Sequence, residues 1–374
     1  MRGEVVSWFI HKEDIAYISA GAKFLSSGGG GDTKIAAYLL LSAMEEDDVI
    51  EVKTAVEMAD EWVVPVAAAG STVLMKEDLP AGEEIVKALK EYESVSGRKA
   101  DAVISMEIGG INALTPLLAA FKCHLPVIDG DGMGRSFPEL EMVHFYHAGI
   151  PAVPLAACSK DETLVINEAK HVSRTLKEFM FQQDGYCHFA CFGAAGSRMR
   201  AAMVPGTLKL ALEIGKILAQ NASIWVKVQQ LRHAFFQSVY GEMEIAFAGK
   251  IRAINRWFEE KMLVGALELA GQMEYHKQRA KLYFQNEFLS FQIPDACHCT
   301  TPDLIIFVHY ETGLPVAVSE LREGMMAMVL TVKAPGLYQT KKMLAQTGPE
   351  MFRIPNQFLQ KETAGRRQQG ENWH

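Results

Sequence analysis

Little in this chain points to a crosslinked, membrane-bound or nucleic-acid-binding protein. Six cysteines are spread over 374 residues, too few for a disulfide scaffold. No run of about 18 apolar residues occurs, so nothing is expected to span a membrane as a helix. The opening MRGEVVSWFIHKEDI lacks an apolar core of signal-peptide length. No long basic cluster is present and the formal net charge is −8, which argues against nucleic acid as a partner. The expectation is a cytoplasmic protein. The motifs H-E-x-x-H, G-x-S-x-G and H-x-x-x-H are absent, and no internal repeat is visible.

What is present centres on residues 101–139. Two short β-branched runs, Ala102 to Met106 and Leu125 to Ile128, read as buried strands. Each leads into a glycine-rich polar turn, Glu107-Ile108-Gly109-Gly110-Ile111-Asn112 and Asp129-Gly130-Asp131-Gly132-Met133-Gly134-Arg135. Helix-start signals follow both. Thr115-Pro116 reads as an N-cap with proline at the first helical position. Ser136-Phe137-Pro138-Glu139 fits a capping box opening a helix over 137–148. Strand, loop and helix twice over predict parallel strands with crossover helices. Ligands of such sheets sit outside the carboxyl ends of the strands, where Glu107, Asn112, Asp129, Asp131 and Arg135 would gather.

A second glycine-rich stretch, Ser26-Ser27-Gly28-Gly29-Gly30-Gly31-Asp32, lies between two predicted helices. It has neither the preceding strand and spacing of a Rossmann fingerprint nor the Gly-Lys-Ser/Thr of a P-loop. What remains is a row of backbone N–H groups at a helix start, capped by Asp32 or Thr33, able to receive an anion or carbonyl oxygen. The alternative is a flexible helix connection.

Further strands are expected at Val49 to Val52, Trp62 to Ala67, Ala152 to Ala156, Thr163 to Ile166 and Cys187 to Phe192. The loop Ala68 to Thr72, the turn Ser159-Lys160-Asp161 and helices near 82–94, 167–182 and 206–220 complete this part. From about residue 238 the pattern changes to successive strands: 242–247, Met262 to Leu269, Lys281 to Phe291, Leu304 to Tyr310 and Met325 to Val332. These predict an antiparallel sheet or small barrel. The fold class expected is therefore α/β: a three-layer N-terminal domain with a mostly parallel sheet (1–166), a C-terminal domain of helices and then β structure (167–355), and a polar tail (356–374).

Among candidate site residues, Asp129 and Asp131 could hold a divalent cation or act as an acid–base pair, or serve only as turn formers. Arg135 could grip a substrate carboxylate or pair with Asp129 or Asp131. Asn112 could bond an amide-like ligand or cap a helix. Glu139 is accounted for by the capping box, with a place in the site as the weaker alternative. Glu141, His144 and His147 share a helix side, which suits a metal face less well than a solvated one. Cys187-His188-x-x-Cys191 and Cys297-His298-Cys299 lack zinc spacing, and Cys187 and Cys191 read as core. No cysteine is spaced with a base as a nucleophile would be.

Together the motifs resemble the S-methyl-thiohydantoin desulfurase family, which is often associated with hydantoinases and oxoprolinases. The residues that carry the resemblance are Ser27 to Asp32, Glu107 to Leu114 and Asp129 to Leu140, then Val204 to Thr207, Phe284 to Glu287 and Thr301 to Ile305. It spans about residues 12–345. It implies an N-terminal α/β domain, a β-rich C-terminal domain, and hydrolysis of an S-methyl-thiohydantoin to a hydantoin and methanethiol. The catalytic candidates are then Glu107, Asp129 and Asp131. The substrate-binding candidates are Gly29, Gly30, Gly31, Asp32, Asn112, Met133, Gly134 and Arg135. The expected partner is a small heterocyclic substrate. No cofactor is required, while a divalent metal and a homo-oligomer stay open. The competing reading is a non-catalytic ligand-binding or partner subunit of a hydantoinase or oxoprolinase system.

Overall fold

The computed structural model describes residues 7–70, 82–160, 162–183, 185–259, 262–294 and 297–355. Ser71, Thr72, Asp161, the whole of the polar tail and the side chains of Cys297 and His298 lie outside the described residues.

The first sheet runs β1 (Trp8–His11), β2 (Val49–Lys53), β3 (Trp62–Gly70), β4 (Ala102–Ser105), β5 (Val127–Asp131), β6 (Leu155–Ser159), β7 (Glu162–Ile166) and β8 (Tyr186–Ala190) in sequence. In space the order is β1-β2-β5-β4-β3-β8-β6-β7. Its centre, β2-β5-β4-β3, is parallel, as the alternation of β-branched runs and helices predicts. Its margins are antiparallel. Two short strands, β9 (Ala194–Ala195) and β10 (Val204–Pro205), pair with β3 and β5, so the first sheet takes strands from well beyond residue 166.

Two apolar cores flank this sheet, giving three layers. One lies under the helices Asp14–Leu25, Thr33–Ala43, Glu84–Ser96, Thr115–Cys123 and Thr207–Ala219. The other holds Met106, Met133, Phe137, Leu176, Phe189 and Tyr338. Helix Thr207–Ala219 packs so closely on Asp14–Leu25 that a Cβ on Gly21 would fall 1.8 Å from the Ala211 carbonyl oxygen, and one on Gly215 would fall 1.9 Å from that of Tyr17. Glycine is needed at this backbone crossing because any side chain would force the helices apart.

The second sheet is antiparallel, with β11 (Met243–Glu259), β12 (Met262–Gly271), β13 (Arg279–Gln285), β14 (Glu287–Ile293), β15 (Cys297–Thr300), β16 (Leu304–His309) and β17 (Met326–Val332) in the order β15-β14-β13-β12-β11-β17-β16. It curls into a half-barrel, bringing β14 and β15 towards β16, around a core of its own rich in Phe.

Four local expectations need correction. The loop expected from Ala68 is strand through Gly70, where β3 pairs with β8. The stretch Lys281 to Phe291 is two strands, turned at Asn286 with φ +58°. Thr115 begins its helix from within: Leu114 is the N-cap, and the Thr115 hydroxyl donates to the Ile111 carbonyl at 3.2 Å. No capping box forms at Ser136. The Phe137 N–H donates to Glu107 Oε2 at 3.0 Å, and the Phe137 ring stacks on Tyr338, with ring centroids 5.7 Å apart. Those contacts hold the chain away from helical geometry, so 137–148 contains only a 3-10 turn Leu140–Met142 and the short helix His144–His147.

Candidate functional site

β4 and β5 end side by side, and their two turns lock together. Asp131 is fully buried, and its Oδ2 accepts three backbone N–H groups: Ile108 at 2.9 Å, Met133 at 2.9 Å and Gly134 at 2.7 Å. The Ser105 hydroxyl lies 2.6 Å from the Glu107 carbonyl and 2.8 Å from that of Asn112. Gly132 N–H donates to the Met106 carbonyl at 3.0 Å. With its backbone fixed on all sides, the first turn presents the Glu107 side chain in one position.

That position is the floor of a cavity of about 100 Å³. For scale, an apolar cavity of roughly 150 Å³ encloses benzene, so this smaller, open space takes part of a small ring with the remainder at its mouth. The walls are apolar and include Ala67, Met106, Met133, Leu176 and Phe189. Glu107 Oε1 accepts from Asn112 Nδ2 at 2.9 Å, and Oε2 accepts from the Phe137 N–H. At the mouth Lys177 is paired with Glu139. Nearby the Ser173 hydroxyl donates to Glu141 Oε2 at 2.5 Å.

Burial pushes the Glu107 carboxyl up to about 8, against the pull of Asn112 and the Phe137 N–H, and the nearby Glu287 and Asp131 carboxylates add to the rise. A carboxyl in this setting is a proton donor at neutral pH. Asp131 is raised to about 6, and Glu287 to about 7, both chiefly by burial. These shifts fix a sign. Each of these three folded-state values lies above the unfolded one, so these groups bind more protons in the native protein from about pH 4 to about pH 8 and the stability they contribute falls as pH rises through that window, opposed below about pH 6.5 by His188, which burial lowers to about 4. The melting temperature is therefore expected to decline from pH 5 to pH 8, and Glu107→Gln should flatten the upper half of that slope. Differential scanning fluorimetry across the range checks this; an equal slope in the variant would mean that Glu107 titrates normally.

Of the residues singled out from sequence, Glu107, Asn112 and Met133 line the cavity. Asn112 is occupied by the fold: its Oδ1 accepts from the Ala68 N–H at 2.6 Å, and its Nδ2 donates to the Ala68 carbonyl at 3.0 Å as well as to Glu107. Asp129 turns to helix Thr207–Ala219, accepting the Leu208 and Lys209 N–H groups at 3.0 and 3.1 Å. It acts there as the cap of that helix start. Gly134 adopts φ +71° and accepts the Tyr240 hydroxyl at 2.5 Å. Asp32 caps helix Thr33–Ala43 through the Lys34 N–H at 3.1 Å. Gly30 and Gly31 have φ of +73° and +83°. Gly29 and Gly30 lie against Glu287 and the Gly109-Gly110 turn, behind the cavity wall.

Arg135 pairs with neither Asp129 nor Asp131. Fully buried, it donates from Nε to the Ser136 carbonyl, from one terminal nitrogen to the Asp303 carbonyl at 2.8 Å, and from the other to the Phe288 carbonyl at 3.1 Å. Its guanidinium also covers the Phe137 ring, 5.0 Å from the centroid. Burial lowers it to about 10, partly offset by Glu287. It ties the second turn to the second sheet. His144, His147 and Glu141 bond separately, to the Ala202 carbonyl, the Glu141 carbonyl and Ser173. Among the described residues no three His, Cys, Asp or Glu side chains are grouped so as to hold a metal ion. No helix among them is long and apolar enough to cross a membrane.

The sequence reading missed Lys177 and Glu287 as parts of this neighbourhood. Lys177 had no motif to mark it. Glu287 stood within the Phe284-Gln285-Asn286-Glu287 stretch without a role.

The fold and site define a two-sheet α/β protein with a buried carboxyl at the ends of its central parallel strands. The chain belongs to the S-Me-THD-like family: residues 13–169 match its N-terminal domain and residues 167–359 its C-terminal domain. A crystal structure of a protein from Chromobacterium violaceum is similar in fold, with a TM-score of 0.75 at 20% identity over 93% of this chain and 97% of the other. No curated protein matches.

Proposed function

We propose that the cavity above Glu107 binds an S-methyl-thiohydantoin-like ring and hydrolyses its carbon–sulfur bond, releasing methanethiol. The family name supports a thiohydantoin-related role. The observation that carries the reaction is a buried carboxyl, raised by burial to about 8, lining a small, largely apolar cavity.

The ring carbon bearing sulfur is amidine-like and becomes more electrophilic when its imine nitrogen is protonated. The Glu107 O–H donates that proton. Water adds to the carbon, and the Glu107 carboxylate takes one proton from it. The carbon–sulfur bond then breaks, and the second water proton leaves with the thiolate. Ring and water become hydantoin and methanethiol, and Glu107 ends protonated as it began. Acid–base help of this kind is worth ~10²–10⁴-fold. Met106 and Met133 offer soft, polarizable walls for a thioether methyl. Glu107 supplies both proton transfers in this scheme, so Asp129 and Asp131 keep their backbone contacts throughout.

The test is thiol release from a panel of S-methyl-thiohydantoins, read with a thiol reagent. Time-dependent methanethiol with matching hydantoin is expected, declining above about pH 8 as Glu107 ionises. Tight hydantoin binding by calorimetry without release would transfer the cavity to a ligand-binding subunit.

A further inference from the structure

We propose that Lys177 is the substrate anchor at the mouth of the Glu107 cavity: its ammonium holds the ring carbonyl, which sets the sulfur-bearing edge inward and any ring substituent outward. This rests on the reading of the cavity as a thiohydantoin site. It deepens that reading by naming a second point of recognition and the class of ring that fits.

A ring carbonyl taken out of water needs a donor. Among the described side chains that line the inner cavity, Glu107, Asn112, Ser173 and Lys177 can donate. The first three are committed. Glu107 serves the imine nitrogen in the proposed reaction. Asn112 Nδ2 spends its protons on the Ala68 carbonyl at 3.0 Å and Glu107 Oε1 at 2.9 Å. The Ser173 hydroxyl donates to Glu141 Oε2 at 2.5 Å. Lys177, on helix Val172–Gln182, differs. Its ammonium carries three protons, and its bond to Glu139 Oε1 takes one. It is the donor with capacity to spare.

Its place fits the role. Lys177 and Glu139 line the inner cavity of about 100 Å³ and also an outer one of about 390 Å³. Their ion pair therefore stands where the two spaces meet. Arg174 is a second cation nearby, but it lines the outer space alone, is paired with Glu178 at 2.8 Å, and has a side chain 76% exposed, against 43% for Lys177. Solvent screens the more exposed charge more strongly.

The carbonyl of an S-methyl-thiohydantoin lies one ring nitrogen away from the carbon that bears sulfur. With the sulfur edge against Glu107, the carbonyl reaches the mouth. The ring carbon beyond it, which carries any substituent, then faces the outer cavity beside Glu141, Arg174 and Phe181. The fitting class is a ring with its amide carbonyl intact and a side chain on the neighbouring carbon.

Calorimetry on the full chain tests this with two probes: hydantoin, and ethyleneurea, which is the same ring without that carbonyl. Lys177→Met should weaken hydantoin binding ~10-fold and leave ethyleneurea unchanged. On S-methyl-thiohydantoins it should raise KM with kcat kept, because the carbonyl is held alike in ground and transition states. Glu139→Gln should keep hydantoin affinity, since its amide oxygen still accepts from the ammonium. An equal loss for both probes, no loss for either, a loss reproduced by Glu139→Gln, or no hydantoin binding by the wild type would each overturn the anchor. Hydantoins substituted beside the carbonyl should bind at least as tightly as hydantoin, and their exclusion would overturn the pose. The parent reading fails separately. Methanethiol release with hydantoin affinity unmoved in Lys177→Met keeps the reaction and removes the anchor. Lys177-dependent hydantoin binding without release keeps the anchor and removes the reaction.

Discussion

Glu107→Gln is expected to lower methanethiol release ~10²–10⁴-fold in a protein that still folds and still binds hydantoin. The amide has the shape of the carboxyl, and its oxygen can keep accepting the Phe137 N–H. Its NH2 group would face the Asn112 amide instead of accepting from it. That exchange costs about one hydrogen bond, ~1 kcal/mol, offset by removing a carboxyl that is costly to ionise in this setting. The effect should fall on kcat, since the lost group transfers protons and the walls that hold the ring are untouched. Thiol release with calorimetric hydantoin affinity in parallel separates the two. Turnover within a few-fold of wild type would remove Glu107 as the acid. Unchanged turnover with weakened binding would make it an anchor instead.

The turns that frame this site were legible because their signals are local. A short β-branched run followed by Gly-Gly or Gly-x-Gly marks a buried strand ending in a tight turn, and both stand where the structure has them. The pairing of the two turns was legible only as neighbourhood. Asp131 gathers three N–H groups from its own turn and the neighbouring one, while Asp129 reaches helix Thr207–Ala219, which begins 78 residues later, far outside the window of about 11–18 residues in which periodicity is read. Asn286 turns the chain with a positive φ inside an apolar run, without the Gly or Pro that would announce it. Missing that hairpin hid Glu287, which the turn places at the start of β14 and under the glycine loop. Lys177 sits on a helix whose charged residues look alike in sequence. Only packing shows which one lies at a cavity mouth.

Arg135 is the case where residue type misled, and removing it should have the largest effect on stability. Arg135→Ala is expected to cost ~3–5 kcal/mol of unfolding free energy, measured by denaturant unfolding. The Asp303, Phe288 and Ser136 carbonyls lose their shared donor, Phe137 loses the cation over its ring, and Glu287 loses the charge that favours its ionised form. Arg135→Lys should recover little, because a single ammonium cannot address three carbonyls fixed in different directions, whereas the planar guanidinium can. Adding Glu287→Gln to Arg135→Ala should return part of the loss, since no carboxylate is then left buried without its cation. A coupling of ~0.5–3 kcal/mol in that double-mutant cycle is the expected signature. A substrate-gripping arginine would behave otherwise: Arg135→Ala would keep its stability and raise KM for carboxylate-bearing substrates alone. The two outcomes differ in the quantity that moves. An unchanged unfolding midpoint would therefore sink the view of Arg135 as the bolt between the two sheets.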